Sequence, residues 1–203
     1  MMTKEKIIMT EKLSKEDRIN SIIASAVEVF LEKGYEAATM EAIALKAGIS
    51  KGGLYHHFRN KDEVLVYANQ VFTAPIEEML SRLSQSSSVA EGLELYITEY
   101  IRHWQQHTNE LRFYFLSMNK AFQDKTLITV YQDYTSQIRS FFEGVFDAGV
   151  QNGEFAPLDS QQMAIGFISA IDGSLAYLLI DETINNELII NSLKRLFIEN
   201  LKS

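Results

Sequence analysis

Apolar residues recur at spacings of three and four along almost the whole of this 203-residue chain. That is the periodicity of α-helices that bury one face, and no sustained apolar–polar alternation bounded by hairpin turns, which would indicate β-strands, accompanies it. Proline, the residue that most strongly disfavours helices, occurs only at Pro75 and Pro157. The pattern therefore predicts an all-α fold of about nine helices.

Capping residues set the predicted helix ends. The first helix is predicted to begin at Ser14, with Asp17 three residues later as its capping-box partner, and to end at Gly34 as a left-handed cap. Residues 1–13 are predicted to be a flexible N-terminal extension. The later helices are predicted at about 40–47, 51–58, 61 onward, 90–107, 111–122, 127–152, 160–180 and 186–201.

Composition narrows the classes of protein. Cysteine is absent, which excludes disulfides, thiolate metal sites and a cysteine nucleophile, and which fits a reducing cytoplasmic location. The chain contains no glycine-rich dinucleotide or phosphate loop, no H-E-x-x-H and no serine in a nucleophile elbow, so we predict that it is not an enzyme and needs no cofactor or metal.

The apolar stretch 163–180 raises the question of a membrane span. Its only charge is Asp172, and an aspartate at the centre of a spanning helix costs about 2.5–3.5 kcal/mol. We therefore interpret the stretch as a helix packed between other helices and predict no membrane partner.

The segment 39–61, TMEAIALKAGISKGGLYHHFRNK, is the most informative part of the chain. Two short helices joined by Ala47-Gly48-Ile49 have the size and spacing of a helix-turn-helix, and Gly48 supplies the left-handed turn residue. Gly52 and Gly53 in the first turn of the second helix cost about 1 kcal/mol each relative to alanine. Close approach of the backbone to a phosphate–sugar chain would explain why they are there.

The run from Leu13 to Leu65 resembles the DNA-binding domain of TetR-family bacterial transcriptional regulators. The matching features are FLEKGYEAATM, IALKAGISKGGLYHHF and NKDEVL. The resemblance implies a three-helix DNA-binding domain over 14–60 and a larger helical effector-binding and dimerisation domain over 61–203. It also implies a ligand-responsive repressor that binds a palindromic double-stranded DNA operator as a homodimer.

The resemblance also implies which residues contact DNA. They are Thr39, Lys51, Gly52, Gly53, Tyr55, His56, His57 and Lys61. Three alternatives remain open: Tyr55 packs on the first helix, His56 and His57 are solvated residues at a helix end, or Thr39 acts only as an N-cap.

Aromatic residues in the middle helices predict a pocket for an apolar or aromatic effector. Asp172 or Glu99 near these rings would favour a cationic one. The predicted pocket residues are Tyr100, Trp104, Phe115, Met118, Tyr134, Phe142 and Asp172.

The last two helices predict a four-helix dimer interface, formed by Ile168, Asp172, Ala176, Leu179, Ile189, Leu193 and Leu196. The alternative is that these faces fill the core of one chain.

His103 and His107 lie four residues apart, a spacing at which two histidines can share a metal ion. Because the sequence offers no clear third ligand, we interpret them as ordinary histidines that bind no metal. The net charge of −8 divides unevenly, with a balance of +2 over residues 1–61 and −10 over residues 62–203. This distribution favours DNA contact by the N-terminal part over the alternative function, a helical ligand-binding or adaptor protein without DNA function.

Overall fold

A computed structural model describes residues 14–181 and 183–202. The predicted extension 1–13 lies outside the described residues. The all-α prediction is confirmed, and over the described residues the only β-type pairing is an isolated bridge between Phe155 and Lys202. The helices in this part of the chain are α1 (Lys15–Ala37), α2 (Met40–Lys46), α3 (Lys51–His57), α4 (Lys61–Ser84), α5 (Val89–Gln106), α6 (Thr108–Ala121), α7 (Lys125–Gln151), α8 (Ser160–Ile180) and α9 (Asn186–Phe197).

The chain divides into two compact units between Ala68 and Asn69, inside α4. In the first unit, Ser14 and Asp17 form the predicted capping box, with the Asp17 amide 3.0 Å from Ser14 Oγ. The buried face of α1 packs with α2 and α3 in a core of Ile22, Ile23, Ala26, Phe30, Ile43, Leu54 and Phe58. This small core fixes the orientation of α3.

The predicted end of α1 at Gly34 is wrong. Gly34 has φ +75° and ψ 161°, so it is a kink with positive φ, and one more helical turn continues to Ala37. The extra turn is closed by the Ala38 amide, which donates to Gly34 O at 3.2 Å, and it contributes the buried ring of Tyr35, which stacks on Phe30.

In the second unit, α5 to α9 enclose an aromatic core that includes Trp104, Phe142, Phe146, Phe155 and Phe167. The last helix ends at Phe197, earlier than the predicted 201, and a single 3₁₀ turn follows over Glu199–Leu201. The C-terminal turn is hydrogen-bonded to the loop between α7 and α8 instead of continuing the helix: the Ala156 amide donates to Leu201 O at 2.8 Å.

Helix α8 is, over the described residues, the one helix long and apolar enough to cross a membrane. The predicted packing between other helices holds for only one of its sides. Phe167, Ile171 and Leu175 are buried, whereas Tyr177 is 56% exposed and Ile180 79% exposed. One apolar side of α8 is therefore uncovered in a single chain.

Glu154 caps α5 from a distance of more than 60 residues in sequence. Its carboxylate accepts hydrogen bonds from the Val89 amide at 2.9 Å, the Ala90 amide at 3.0 Å and the Ser88 hydroxyl at 2.7 Å. Burial alone would raise the pKa of Glu154, but the amides of Ala90 and Val89 and the Ser88 hydroxyl outweigh it, so the pKa is lowered. The ionised carboxylate satisfies the first amides of α5, which have no partner within the helix.

We expect Glu154→Gln to lower the free energy of unfolding of the second unit at pH 7 by about 1–2 kcal/mol, because one charge-assisted cap is lost. Since the folded pKa is lowered, this contribution is complete above the unfolded pKa and disappears as the pH falls through the folded value. Urea unfolding followed by fluorescence of Trp104, the only tryptophan, measures it at pH 7 and pH 3. Glu91→Gln, at an exposed position of the same helix turn, is the control. An equal loss for Glu154→Gln at both pH values would contradict the capping role.

Candidate functional site

The turn between α2 and α3 depends on Gly48. Its φ is +65°, a conformation that side chains disfavour, and its amide donates to Leu45 O at 3.2 Å. The Ile49 amide then donates to Ala44 O at 3.0 Å, and Ser50 begins α3 by accepting from the Gly53 amide at 3.1 Å. The left-handed turn at Gly48 and the N-cap at Ser50 were predicted from the sequence. Together with the hydrogen bond from Ile49 to Ala44 they set the angle at which α3 leaves α2.

The exposed side of α3 brings four of the predicted DNA-contacting residues together: Lys51, Gly52, Tyr55 and His56. Tyr55 is 44% exposed, which argues against the alternative that its ring packs into the unit. Two others, Gly53 and His57, are half-buried on the same helix. Burial lowers the pKa of His57, with a smaller effect from the charge of His56.

Neither glycine of α3 is required by the protein's own backbone conformation. Neither has a positive φ, and a Cβ added to Gly52 would meet nothing within 4 Å. A Cβ on Gly53 would come 3.3 Å from Ser50 Oγ, a tighter fit. Gly52 therefore leaves open space above α3 that the fold itself does not use.

The side chain of Lys51 is held beside α2 by an ion pair with Glu41, and its ammonium lies 5.8 Å from the centre of the Tyr55 ring. The hydrogen bond from Lys51 lowers the pKa of Glu41, and Glu41 raises the pKa of Lys51 in return. Both side chains are exposed, so the ion pair is weak and Lys51 can leave Glu41 for another negatively charged partner.

Thr39 and Lys61 both have clear roles in the free protein. Thr39 is the N-cap of α2, with Oγ1 3.1 Å from the Ala42 amide. The ammonium of Lys61 donates to three carbonyl oxygens at the end of α1, those of Tyr35 at 2.8 Å, Glu36 at 3.2 Å and Ala38 at 3.4 Å. Lys61 therefore complements the negative end of α1, and the predicted phosphate contact would compete with these carbonyls.

The second unit contains two adjoining cavities. The inner chamber has a volume of about 40 Å³ and the outer chamber about 430 Å³. They share the side chains of Tyr114, Tyr134, Ile138, Ile168 and Asp172 in their walls. Exposed residues of α7, Gln132, Thr135 and Ser136, line the outer chamber, which therefore opens toward solvent.

Six of the seven predicted pocket residues line these chambers. Tyr100, Trp104 and Phe142 line the inner chamber, Met118 the outer, and Tyr134 and Asp172 both. Phe115 lines neither and packs against the core of the unit. Glu99, considered as a second acid, pairs with Arg82 and lines neither chamber.

Two polar groups stand out in the inner chamber. Tyr100 Oη donates to Asp172 Oδ1 at 3.1 Å, and burial raises the pKa of Asp172 against the effect of this hydrogen bond. Trp104 is 2% exposed, and its Nε1 has no hydrogen-bond partner among the described residues. An aromatic cavity with few and specific polar groups is typical of a small-molecule site.

Comparison with known proteins identifies both units. Residues 22–68 match the family model described as bacterial regulatory proteins, tetR family. Residues 89–196 match the family model described as the C-terminal part of BetI-type transcriptional repressors. The chain belongs to the TetR family. It is therefore a DNA-binding transcriptional regulator.

Individual TetR-family relatives agree over most of the chain. The HTH-type transcriptional repressor KstR2 of Rhodococcus jostii is 26% identical over 167 residues, which cover 76% of each chain. A TetR-like transcriptional regulator from Rhodococcus sp. RHA1 superimposes with a TM-score of 0.74 at 20% identity, covering 92% of this chain and 96% of that one. The regulator FadR from Bacillus subtilis, solved in complex with stearoyl-CoA, superimposes with a TM-score of 0.73 at 22% identity, covering 90% and 98%.

The predicted dimer residues of this TetR-family chain lie in different places. Ile168 and Asp172 are half-buried and line the chambers. Ile189 and Leu193 are buried at the floor of a groove between α8 and α9, Ala176 and Leu179 are half-buried, and Leu196 is exposed. The residues that form the uncovered face are Ile165, Ser169, Gly173, Tyr177, Ile180, Leu188 and Leu196.

Tyr177, Ile180 and Leu188 are among the residues of this face that the predicted interface did not include. The available signal was that α8 is apolar around its whole circumference, which indicates that both of its sides are covered. Periodicity alone does not tell which side meets its own chain.

The two histidines of α5 are accounted for by ordinary contacts. Their rings stack with centres 4.3 Å apart, and His107 Nδ1 lies 2.8 Å from His103 O. In the part of the chain that the structure describes, no group of three or more histidine, cysteine or acidic side chains is placed to hold a metal ion.

Proposed function

We propose that this regulator is a ligand-responsive cytoplasmic repressor that binds a palindromic operator as a homodimer and acts without catalysis. The observation that carries the proposal is the cluster of Lys51, Gly52, Tyr55 and His56 on the exposed side of α3. Family membership favours this function over a helical ligand-binding or adaptor protein without DNA function. We assign DNA binding to residues 14–60, and effector binding and dimerisation to residues 61–203.

In this proposal α3 enters the major groove. Lys51, Gly52, Gly53 and His56 approach the base edges and sugars, while Tyr55 and His57 contact the backbone. Thr39 binds a phosphate at the start of α2. For Lys61 the contacts support a different role, because its ammonium already meets three carbonyl oxygens of α1, and we assign it to positioning rather than to the phosphate.

We expect Lys51→Ala to weaken operator binding at least ~10-fold while the helical circular dichroism is unchanged, because a charge next to the DNA is lost. The slope of log affinity against log salt concentration should fall by about one. Gel-shift titrations at several salt concentrations measure both quantities. Lys33→Ala, which removes an exposed lysine from α1, controls for net charge. Equal effects of the two substitutions would contradict the assignment of α3.

The dimer proposal rests on the uncovered face of α8 and α9. A soluble chain rarely exposes a continuous apolar surface of this kind without a partner, and a two-fold interface places two α3 helices in successive major grooves. Gly173 and Ser169 on this face allow the close approach of a second α8.

Sedimentation equilibrium at micromolar concentration is expected to show a dimer for the wild type. We expect Tyr177→Glu to raise the dissociation constant at least ~10-fold, because it buries a charge at the centre of the interface. Ser140→Glu, on the exposed side of α7, should leave the dimer intact. A monomeric wild type would exclude this assembly.

We place the effector in the inner and outer chambers. Arg139 and Asp172 are the only lysine, arginine, aspartate or glutamate side chains among the described residues that line them, which favours a ligand without several negative charges. A ligand that prefers the conformer with wrongly spaced α3 helices lowers DNA affinity by the ratio of its affinities for the two conformers.

A further inference from the structure

We propose that the inner chamber recognises a hydroxyl group on a neutral ligand whose apolar body fills the outer chamber. This inference rests on the proposed ligand-responsive function and names the chemical class of the ligand.

The first observation is the indole nitrogen of Trp104. Its N–H is a donor only, and no described residue accepts its hydrogen bond. Because the Trp104 side chain lines the inner chamber, an acceptor on the group that occupies the chamber would offset the cost of this buried, unpaired donor.

The second observation is the carboxyl group of Asp172 in the wall of the same chamber. Among the described residues, its one hydrogen bond is the one accepted from Tyr100. A carboxylate has room for further donors, so a donor on the occupant would find an acceptor here. A hydroxyl group carries both functions on a single atom.

The size of the inner chamber limits the group that enters it. A volume of about 40 Å³ accommodates a few water molecules or one small polar head. The outer chamber, about ten times larger at about 430 Å³, has apolar walls that include Ile128, Ile138 and Phe122. A ligand with its polar end inward and an apolar chain or ring outward fits both chambers.

Other simple head groups satisfy only part of the site. An ammonium group donates to Asp172 but has no acceptor for Trp104, and a carboxylate accepts from Trp104 but brings a second acid against Asp172. An ether oxygen accepts from Trp104 but has no proton for Asp172. The hydroxyl alone among these four satisfies both residues.

The test uses four eight-carbon probes: 1-octanol, methyl octyl ether, octylammonium and octanoate. Because Trp104 is the only tryptophan, its emission reports occupancy of the inner chamber directly. We expect 1-octanol to bind the full-length protein at least ~10-fold more tightly than each of the other probes. No detectable binding of 1-octanol, or equal or tighter binding of any other probe, would overturn the proposal.

Two variants separate the two hydrogen bonds. With binding followed by calorimetry, Trp104→Phe should weaken 1-octanol and the ether alike, whereas Asp172→Leu should remove the preference for 1-octanol over the ether. Phe115→Leu, outside both chambers, should bind as the wild type does. A preference for 1-octanol that survives Asp172→Leu would overturn the assignment even if Trp104→Phe fails to fold.

Gel shifts with and without each probe separate this inference from the proposed function. Release of DNA by 1-octanol supports both the recognition of a hydroxyl group and the proposed response to a ligand. Selective binding of 1-octanol without release supports the recognition and contradicts the response. Release by an unrelated compound, with no binding of 1-octanol, leaves the response intact and overturns the recognition.

Discussion

Replacing Gly52 with alanine is expected to leave the protein folded and more stable, by about 0.5–1 kcal/mol, yet to weaken operator binding at least ~10-fold. The gain in stability arises because alanine is the better helix residue and because a Cβ at this position meets nothing within 4 Å. The loss of binding arises because the same methyl group occupies the space that the DNA backbone or a base edge needs. Thermal unfolding and gel-shift titration of one preparation measure both effects.

Gly144→Ala is the matched control for this experiment. Gly144 also lies in a helix, and a Cβ there also meets nothing within 4 Å. This variant should gain similar stability and bind the operator as the wild type does. If Gly52→Ala also binds as the wild type does, Gly52 does not serve close approach of α3 to DNA.

Replacing Gly149 with alanine is expected to lower the free energy of unfolding by about 3 kcal/mol, at the upper end of what overpacking a core costs. A Cβ at Gly149 would lie 2.6 Å from Cε2 of Phe155, far inside van der Waals contact. Phe155 cannot move away easily, because its ring is buried among core aromatics and its backbone pairs with Lys202. Chemical unfolding followed by Trp104 fluorescence measures the loss.

Gly144→Ala is also the control for Gly149→Ala. Gly144 lies five residues earlier in α7, and its replacement by alanine should raise the free energy of unfolding instead of lowering it. The pair therefore separates steric overlap from helix propensity. If Gly149→Ala is as stable as Gly144→Ala, Phe155 does not pack against α7 as described.

Local signals made the first unit predictable. The capping box at Ser14, the N-caps Thr39 and Ser50 and the turn at Gly48 each depend on residues within four positions, so the sequence displays them directly. The end of α1 was misjudged because the positive φ of Gly34 marks a kink, after which the Ala38–Gly34 hydrogen bond and the packing of Tyr35 against Phe30 accompany one more helical turn. The role of Lys61 was hidden, because the carbonyl groups it meets lie more than 20 residues earlier.

The second unit was less predictable for a physical reason. Helical periodicity identifies apolar faces, but it does not say which neighbour covers each one. Ile168 and Asp172 were therefore predicted at the dimer face, Asp172 in the pocket as well, and both line the chambers. Tyr177 and Ile180, on the uncovered face, were not predicted. Four of the five predicted pocket aromatics line the chambers, since half of the chain's aromatic residues lie in α5 to α7. The missing partner of Trp104 Nε1 is visible only in three dimensions.

We propose that the α2–α3 segment of this regulator reads a specific DNA sequence as part of a two-fold dimer. Selection of bound duplexes from a pool of random DNA tests it most directly. We expect an enriched inverted repeat, with half-sites about 10 base pairs apart from centre to centre or a multiple of that spacing. The enrichment should be lost in Gly52→Ala and retained in Gly144→Ala. A pool that stays random with the wild type, or an enriched site that both variants bind equally, would contradict the account.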